Sequence, residues 1–536
     1  MLENGDIVHP NSTISNGHSH SKTDKTHPVM SEDEIRAKLK QYDQSHLMQF
    51  YEELSDGEKE KLLADISTVD FKDVSEFFEK VAKVDFDQKH GVTEACRLAP
   101  VERDITGSVH DEQAPEYKSL GLSAIASSSV CVLLLAGGQG TRLGVDYPKG
   151  MYNVGLPSNK TLYQIQAERI IKIQQLADKH ANHSSPTSVV PWYIMTSEHT
   201  KEATQQFFES KGYFGLEKTN VVFFEQNMIP CIDMKGKILL ESKSKIARSP
   251  DGNGGLYRAM RECGILEDMQ SRGVEHINIY GVDNILVRLA DPLFVGFAIT
   301  RQAECANKVL LKKDPHEKVG VVCKVDNAYK VVEYSEIPKE VSEMRDPETN
   351  RLLYGASNIV NHYLSFQFAL EMCRDESSLL LYHEACKKIP YVDLSSGKLI
   401  AAPETNTGIK REKFVFDVFP FTKKFAMLEV DRECEFSPLK NSNQAGSECP
   451  NTARDSILSL HAKWVIQNGG QISPSSSSGD GCSEAKSSKV LISDTEALTS
   501  CQQKIQCEIS PLVSYAGEGL EEICKGQTFT SPVSIN

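Results

Sequence analysis

The sequence predicts an α/β protein built on a mostly parallel sheet, and three observations predict it. An apolar run from Val130 to Ala136 stops abruptly at Gly137, Gly138 and Gly140. It is too short to span a membrane and lacks helical periodicity, so it reads as a buried strand entering a glycine turn. Strand-like and helix-like stretches then alternate: a helix over Thr161–His180, a strand over Val189–Met195, a helix over Ser197–Ser210 and a strand over Asn220–Phe224. Finally, 536 residues exceed one ordinary core and call for two to four structural units. Connections in such a sheet should be right-handed, with ligands outside the carboxyl ends of its strands.

Composition narrows the function. The formal net charge of −15 argues against a broad nucleic-acid surface, which needs a basic stripe, but leaves room for phosphate binding in one cleft. Fourteen scattered cysteines with no C-x-x-C pair fit reduced thiols in a cytoplasmic protein better than disulfides or zinc. No apolar stretch approaches a membrane span, and the polar residues 1–29 carry no secretory h-region.

Along the chain, residues 1–29 read as a disordered tail. Ser31 and Glu34, then Ser55 and Glu58, form capping boxes ahead of amphipathic stretches. Ile35, Leu39 and Tyr42 share one face, Leu47, Phe50, Tyr51 and Leu54 another, and Val74, Phe77, Phe78 and Val81 a third. Several short helices packed against the main domain are therefore expected over 31–85, with 86–125 a connector wrapped over the surface. In the expected Thr161–His180 helix, Leu162, Ile165, Ile170 and Ile173 point inward, and Ser197 is a plausible cap for the next. Cys231–Leu240 suggests a hairpin turning at Lys235-Gly236. Asp251-Gly-Asn-Gly-Gly255 precedes a helix over Leu256–Met269, and His276–Asp283 is a strand ending in an acid. Asp291-Pro292 starts a helix, and Lys308–Lys313, Val319–Val325 and Tyr329–Tyr334 are strands, partly antiparallel. Beyond Arg351 the alternation loosens. Phe414–Phe419 is strand-like, 473–488 is a serine-rich loop, and the end is β-rich. The resulting division is a tail (1–29), a helical region and connector (30–125), a central domain (126–430) and a small terminal domain (431–536).

The glycine loop fails two tests. A dinucleotide fingerprint needs G-x-G-x-x-G, but the third glycine here is Gly144, one residue late; this disfavours a nicotinamide oxidoreductase. No G-x-x-x-x-G-K-[ST] string occurs. Three clustered glycines followed by Arg142 and Lys149 still describe a phosphate site: glycines admit backbone N–H groups close to an anion, and the two cations add fixed charge.

The string Leu135-Ala-Gly-Gly-Gln-Gly-Thr-Arg-Leu-Gly-Val-Asp-Tyr-Pro-Lys-Gly150 resembles the signature of eukaryotic UDP-N-acetylhexosamine pyrophosphorylases. So, in order, do Asp251-Gly-Asn-Gly-Gly-Leu-Tyr, Val282-Asp-Asn, Gly320-Val-Val-Cys-Lys-Val-Asp, Glu333-Tyr-Ser-Glu, Glu412-Lys-Phe-Val-Phe-Asp, Glu435-Phe-Ser-Pro-Leu-Lys-Asn and Ser514-Tyr-Ala-Gly-Glu-Gly-Leu-Glu. The resemblance runs over roughly residues 31 to 525. It implies a Rossmann-like mixed-sheet nucleotidyltransferase core with an N-terminal helical extension and a small C-terminal β-rich domain. It also implies a reaction of UTP with N-acetylglucosamine 1-phosphate that yields UDP-N-acetylglucosamine and pyrophosphate, with Mg²⁺ (or Mn²⁺). GalNAc 1-phosphate is a further candidate substrate, and a homodimer is compatible with the chain.

The same resemblance assigns residues. Leu135, Ala136, Gly137 and Gly138 match nucleotide contacts, as do Gly252 and Lys410. Arg142 and Lys149 match phosphate partners, and Lys440 matches a lysine brought in from the terminal domain. Gln226 matches a glutamine that reads uracil, whose edge suits an amide's donor and acceptor. Its setting, Glu225-Gln226-Asn227, departs from the Gln-Gln-Gly common in relatives. Asp283 is a candidate Mg²⁺ ligand. Asn253, Gly320, Glu333, Tyr334 and Asn358 match positions around the hexosamine, with Phe414 and Phe416 a candidate apolar wall for the N-acetyl methyl. Competing readings are a UDP-glucose or broad UDP-sugar pyrophosphorylase, and a non-catalytic UDP-sugar sensor acting through the N-terminal helices.

Overall fold

The computed structural model describes residues 30–88, 97–380, 382–474, 492–494, 498 and 505–536. The expected tail, and the serine-rich loop beyond residue 474, lie outside the described residues.

Both capping boxes form, Ser31 with Glu34 and Ser55 with Glu58. They open helices α1 (Glu32–Gln41) and α2 (Asp56–Ser67), and α3 (Phe71–Gln88) follows. Their apolar faces, including Ile35, Leu39, Leu62, Ile66 and Phe77, pack on Ile232, Ile238, Ile246 and Ile409 of the central part. The aromatic positions are thus spent on packing, as expected.

The connector is not a surface wrap. It contributes strand β1 (Thr106–Ser108) to the main sheet and helix α4 (Ala114–Ala126) to the core. α4 meets helix α9 (Pro292–Thr300) where two glycines let the backbones touch: a Cβ on Gly121 would overlap the Pro292 carbonyl, and one on Gly296 would overlap that of Tyr117. Helix α9 is preceded by Asp291, whose carboxylate accepts the Leu293 N–H, and opens on a proline with no N–H to lose.

The remaining strands of the main path are β2 (Val130–Leu135), β3 (Trp192–Thr196), β4 (Val221–Glu225), β5 (His276–Gly281), β6 (Cys305–Leu311), β7 (Ala356–Ser365) and β8 (Phe425–Glu429). Their spatial order is β1-β8-β6-β7-β5-β2-β3-β4. Every neighbouring pair is parallel except the two made by β7. The expected mostly parallel sheet therefore holds, and the 321–332 hairpin joins it as an antiparallel annex. Helix α5 (Leu162–His180) buries Leu162, Ile165, Ile170 and Ile173 as expected.

Several local expectations change. Ser197 caps no helix: α6 spans Lys201–Ser210, and the Ser197 hydroxyl donates to the Gly137 carbonyl (3.1 Å). The expected helix over 256–269 divides at Gly264 (φ +70°) into α7 (Leu256–Glu262) and α8 (Ile265–Ser271). Phe414–Phe419 is a turn rather than a strand, because Asp417 accepts the Phe414 N–H (2.7 Å). β7 escaped the sequence reading. The terminal segment carries two parallel strand pairs and also an 18-residue helix, α10 (Pro450–Gln467), that sequence reading did not anticipate. It shares a core with Leu143, Val154, Leu162 and Ile285.

Candidate active site

Four adjacent parallel strands, β5, β2, β3 and β4, end together, and their following residues carry Asp283, Gly137–Gly138, Ser197 and Gln226. This is where an open α/β sheet receives ligands. The Gln226 backbone N–H donates to Thr196 (2.9 Å), and its amide lies against Gly137, where any Cβ would overlap Nε2. Gly138 faces open space. Leu135 and Ala136 are buried at the strand end beneath them.

The glycine loop folds back on itself through short 3-10 turns at Thr141–Leu143 and Lys149–Met151, without starting an α-helix. Leu143 donates to Gly140 (2.8 Å), Gly144 takes φ +82°, and Lys149 N–H reaches the Gly138 carbonyl (3.4 Å). Gly150 packs on the Tyr163 ring so closely that a Cβ would overlap it. The Pro-Lys-Gly turn is thereby held over the glycines.

Lys149 is the centre of a charge cluster. Burial pushes its ammonium below the usual lysine range; Asp283 opposes that shift, Arg142 and Lys440 reinforce it, and Glu448 opposes it. Arg142 is exposed on the loop, while Lys440 pairs with Glu448 (3.1 Å). Lys440 arrives by stitching. Asn284 donates to the Glu435 carbonyl (2.7 Å) and accepts from Ser437 N–H (2.9 Å), and Leu439 N–H donates to the Asp283 carbonyl (2.9 Å). The Glu435 carboxylate is in turn held by the buried Lys308, which also pairs with Asp291 (2.6 Å). The structure thus brings together Arg142, Lys149, Asp283 and Lys440, which lie up to 298 positions apart in the chain.

Lys440 also acts on Glu333, joining this cluster to the far end of the cleft. Burial raises the Glu333 carboxyl above its ordinary range, Glu336 adds to that, and His383, Lys312 and Lys440 oppose it. Gly320 lies against Glu333, and its carbonyl accepts the Asn358 N–H (2.9 Å). Phe414 and Phe416 stack at 5.1 Å, sharing a side despite the turn, and His383 lies 4.8 Å from Phe414. His383, held by Asp417 (2.9 Å), is a neighbour that sequence reasoning missed; nothing in its local sequence marks it. Tyr334 is exposed and faces a separate recess with Lys312, His316 and Tyr354.

The 251–255 turn is locked onto the segment after Lys410. Gly252 has φ +86° and no room for a Cβ beside the Lys413 backbone, Gly254 N–H donates to Lys413 (2.8 Å), and the Asn253 oxygen accepts from Val415 N–H (3.0 Å). Lys410 itself sits half-buried on a separate three-stranded sheet of His383–Lys387, Gly408–Glu412 and Ile232–Asp233, paired with Ala385 and near the Cys231 thiol. Beneath the turn, Asp251 is 1% exposed with one carboxylate oxygen unpartnered. Burial pushes its pKa up to about 7, against Arg258 and Lys413 and reinforced by Glu376.

A cleft with a glycine loop and three cations at one end, and a carboxyl, amides and stacked rings at the other, suits a phosphorylated nucleotide beside a sugar. Comparison with known proteins agrees. A sequence profile described as UTP–glucose-1-phosphate uridylyltransferase matches residues 75–481. The human UDP-N-acetylhexosamine pyrophosphorylase-like protein 1 is 45% identical over 514 residues, covering 95% of this chain and 98% of its own. UDP-N-acetylglucosamine diphosphorylase 2 of Arabidopsis thaliana is 39% identical over 506 residues, covering 93% of each. The crystal structure of the Trypanosoma brucei UDP-N-acetylglucosamine pyrophosphorylase with an inhibitor superposes with a TM-score of 0.75 at 29% identity, covering 92% of this chain and 96% of that one.

Proposed function

The chain belongs to the UTP–glucose-1-phosphate uridylyltransferase family, and from that premise we infer that it joins UTP to N-acetylglucosamine 1-phosphate, forming UDP-N-acetylglucosamine and pyrophosphate. The observation that carries the assignment of residues is the convergence of Arg142, Lys149, Asp283 and Lys440 at the ends of β2 and β5.

In this reading a phosphate oxygen of the sugar 1-phosphate attacks the α-phosphorus of UTP, the bond to the bridging oxygen breaks, and pyrophosphate leaves. A phosphate monoester is already anionic near neutral pH, so no general base is required. Catalysis then consists of positioning and charge neutralisation. Lys149 meets the charge that develops around the α-phosphorus, Arg142 holds the departing β- and γ-phosphates, and Lys440 spans the two substrates. Gln226 reads the uracil, with Leu135, Ala136, Gly137, Gly138, Gly252 and Lys410 the other nucleotide contacts. Asn253, Gly320, Glu333, Asn358, Phe414 and Phe416 surround the hexosamine; Tyr334 joins them only if its ring turns in from the outer recess.

Mg²⁺ (or Mn²⁺) fits as a companion of the triphosphate. Among the described residues no three His, Cys, Asp or Glu side chains gather into a metal site, but Asp283 offers one carboxylate, and phosphate oxygens and water suit the rest of an octahedron. When bound, the ion supplies charge neutralisation and phosphate orientation. No disulfide joins the described cysteines, and no described helix is long and apolar enough to cross a membrane; the reduced cysteines support a reducing, cytoplasmic setting.

The test is pyrophosphate release from UTP with N-acetylglucosamine, N-acetylgalactosamine or glucose 1-phosphate, each with and without Mg²⁺. Mg²⁺-dependent release, fastest with N-acetylhexosamine 1-phosphates, is expected. A folded protein that releases none at saturating Mg²⁺ overturns the reading, and a preference for glucose 1-phosphate moves it to UDP-glucose synthesis.

A further inference from the structure

β7 is interrupted at the sugar end of the cleft. Its pairing with β6 runs from Cys305↔Leu364 to Asn307↔His362 and resumes at Val309↔Asn358, so three residues of β7 oppose the single Lys308. In the middle of that bulge stands Val360 at φ +55°. A β-branched side chain in the left-handed region is strained, and bulges beside active sites re-aim side chains.

The side chain re-aimed is that of Asn358. Its Oδ1 accepts from the Val360 N–H (3.1 Å) and from Asn307 Nδ2 (3.3 Å). A backbone N–H can only donate, so it must face the oxygen of Asn358 rather than its nitrogen, which settles the orientation of the amide. Both acceptor sites of Oδ1 are then in use. No hydrogen bond among the described residues uses Asn358 Nδ2, and that atom is not among the buried groups without a partner, so it is the part of this 8% exposed side chain that reaches solvent. The same logic fixes Asn307, whose Oδ1 is left buried and unpartnered.

We propose that Asn307 and the Val360 bulge are positioning elements for sugar choice: they hold Asn358 as a donor-only group, which favours the carbonyl of a 2-acetamido sugar over the 2-hydroxyl of glucose. A hydroxyl in that place has a proton that Asn358, with its oxygen occupied, cannot accept, whereas an acetamide oxygen only accepts. The inference rests on the uridylyltransferase reading and on Asn358 facing the sugar, where its backbone is already tied to Gly320 beside Glu333. Neither Asn307 nor Val360 touches substrate in this account.

Two variants test it. Asn307→Ala removes the second donor together with the orphaned oxygen. Asn307→Leu keeps a similar volume and has no proton to donate to the Asn358 oxygen. In both, kcat/KM for N-acetylglucosamine 1-phosphate is expected to fall about fivefold through KM, equivalent to one ordinary hydrogen bond, with glucose 1-phosphate and UTP values within about twofold. An unchanged ratio between the two sugars in either folded variant overturns the proposal. So does an equal loss for both sugars and UTP, which would mark a purely structural role. If the wild type releases no pyrophosphate with either sugar, the transferase reading falls and takes this inference with it; if the wild type turns over normally and only the ratio fails to move, the positioning role alone is wrong.

Discussion

Lys149 holds a charge where burial disfavours one, with the Asp283 carboxylate favouring that charge and Arg142 and Lys440 opposing it. Such an arrangement suits an incoming polyanion, whose binding would relieve both burial and repulsion. Lys149→Ala is expected to lower kcat by about 10²–10³-fold, the scale of losing one preorganised electrostatic group, with a smaller effect on KM for UTP; steady-state kinetics checks this. Because its pKa is depressed, the protonated form is lost earlier than for an ordinary lysine as pH rises. The alkaline limb of kcat/KM should therefore begin below the usual lysine value and disappear with the charge in the variant. Asp251 gives the second pH effect. Its pKa of about 7 lies above the unfolded value, so its contribution to stability is fully present below about pH 4 and is lost as pH rises through about 7. The full shift corresponds to at most about 4 kcal/mol. Thermal unfolding should thus show a Tm that declines from pH 5 to 8, less steeply in Asp251→Asn. At the residue scale, Arg142 and Lys149 stood out because they follow the glycines closely in the chain, and Asp283 because it ends an apolar strand. His383 and Asn307 were invisible, since their importance comes from partners Asp417 and Asn358 on other elements.

Elements were legible where local chemistry decides them. The apolar run of β2 and the two N-terminal capping boxes appear where the sequence puts them. β7 was not legible because Asn358, Asn361 and His362 interrupt its apolar run, and two of them are answered from elsewhere: Asn278 donates to Asn361 (2.9 Å) and Asn307 to Asn358. The Phe414–Phe419 segment misled for the opposite reason: its aromatic alternation mimics a strand, and one carboxylate, Asp417, bends it into a turn. The close crossing of α4 and α9 rests on the absence of two Cβ atoms. Gly121→Ala should force the helices apart and cost about 1–3 kcal/mol or more, seen as a lower urea midpoint with an unchanged m-value.

At the scale of the whole molecule, the sheet class followed from alternation, but the closure of the site by the terminal segment did not. Lys440 is held beside Lys149 because Asn284, Glu435 and Lys308 fasten residues 435–439 to the end of β5 and the middle of β6. These contacts link residues more than 120 positions apart, so no local pattern announces them. Asn284→Ala should let Lys440 drift and reduce turnover by about ten- to a hundredfold while UTP still binds, which kcat and a nucleotide-binding titration would separate. In the proposed reaction the uridylyl group passes directly from UTP to the sugar phosphate, driven by positioning and charge with no covalent enzyme intermediate. The most direct test is turnover of UTP made chiral by sulfur at the α-phosphorus, with N-acetylglucosamine 1-phosphate as acceptor and phosphorus NMR of the product. A UDP-N-acetylglucosamine thio-analogue formed with inversion at that phosphorus is expected; retention, or no product from a folded enzyme that binds UTP, would contradict the account.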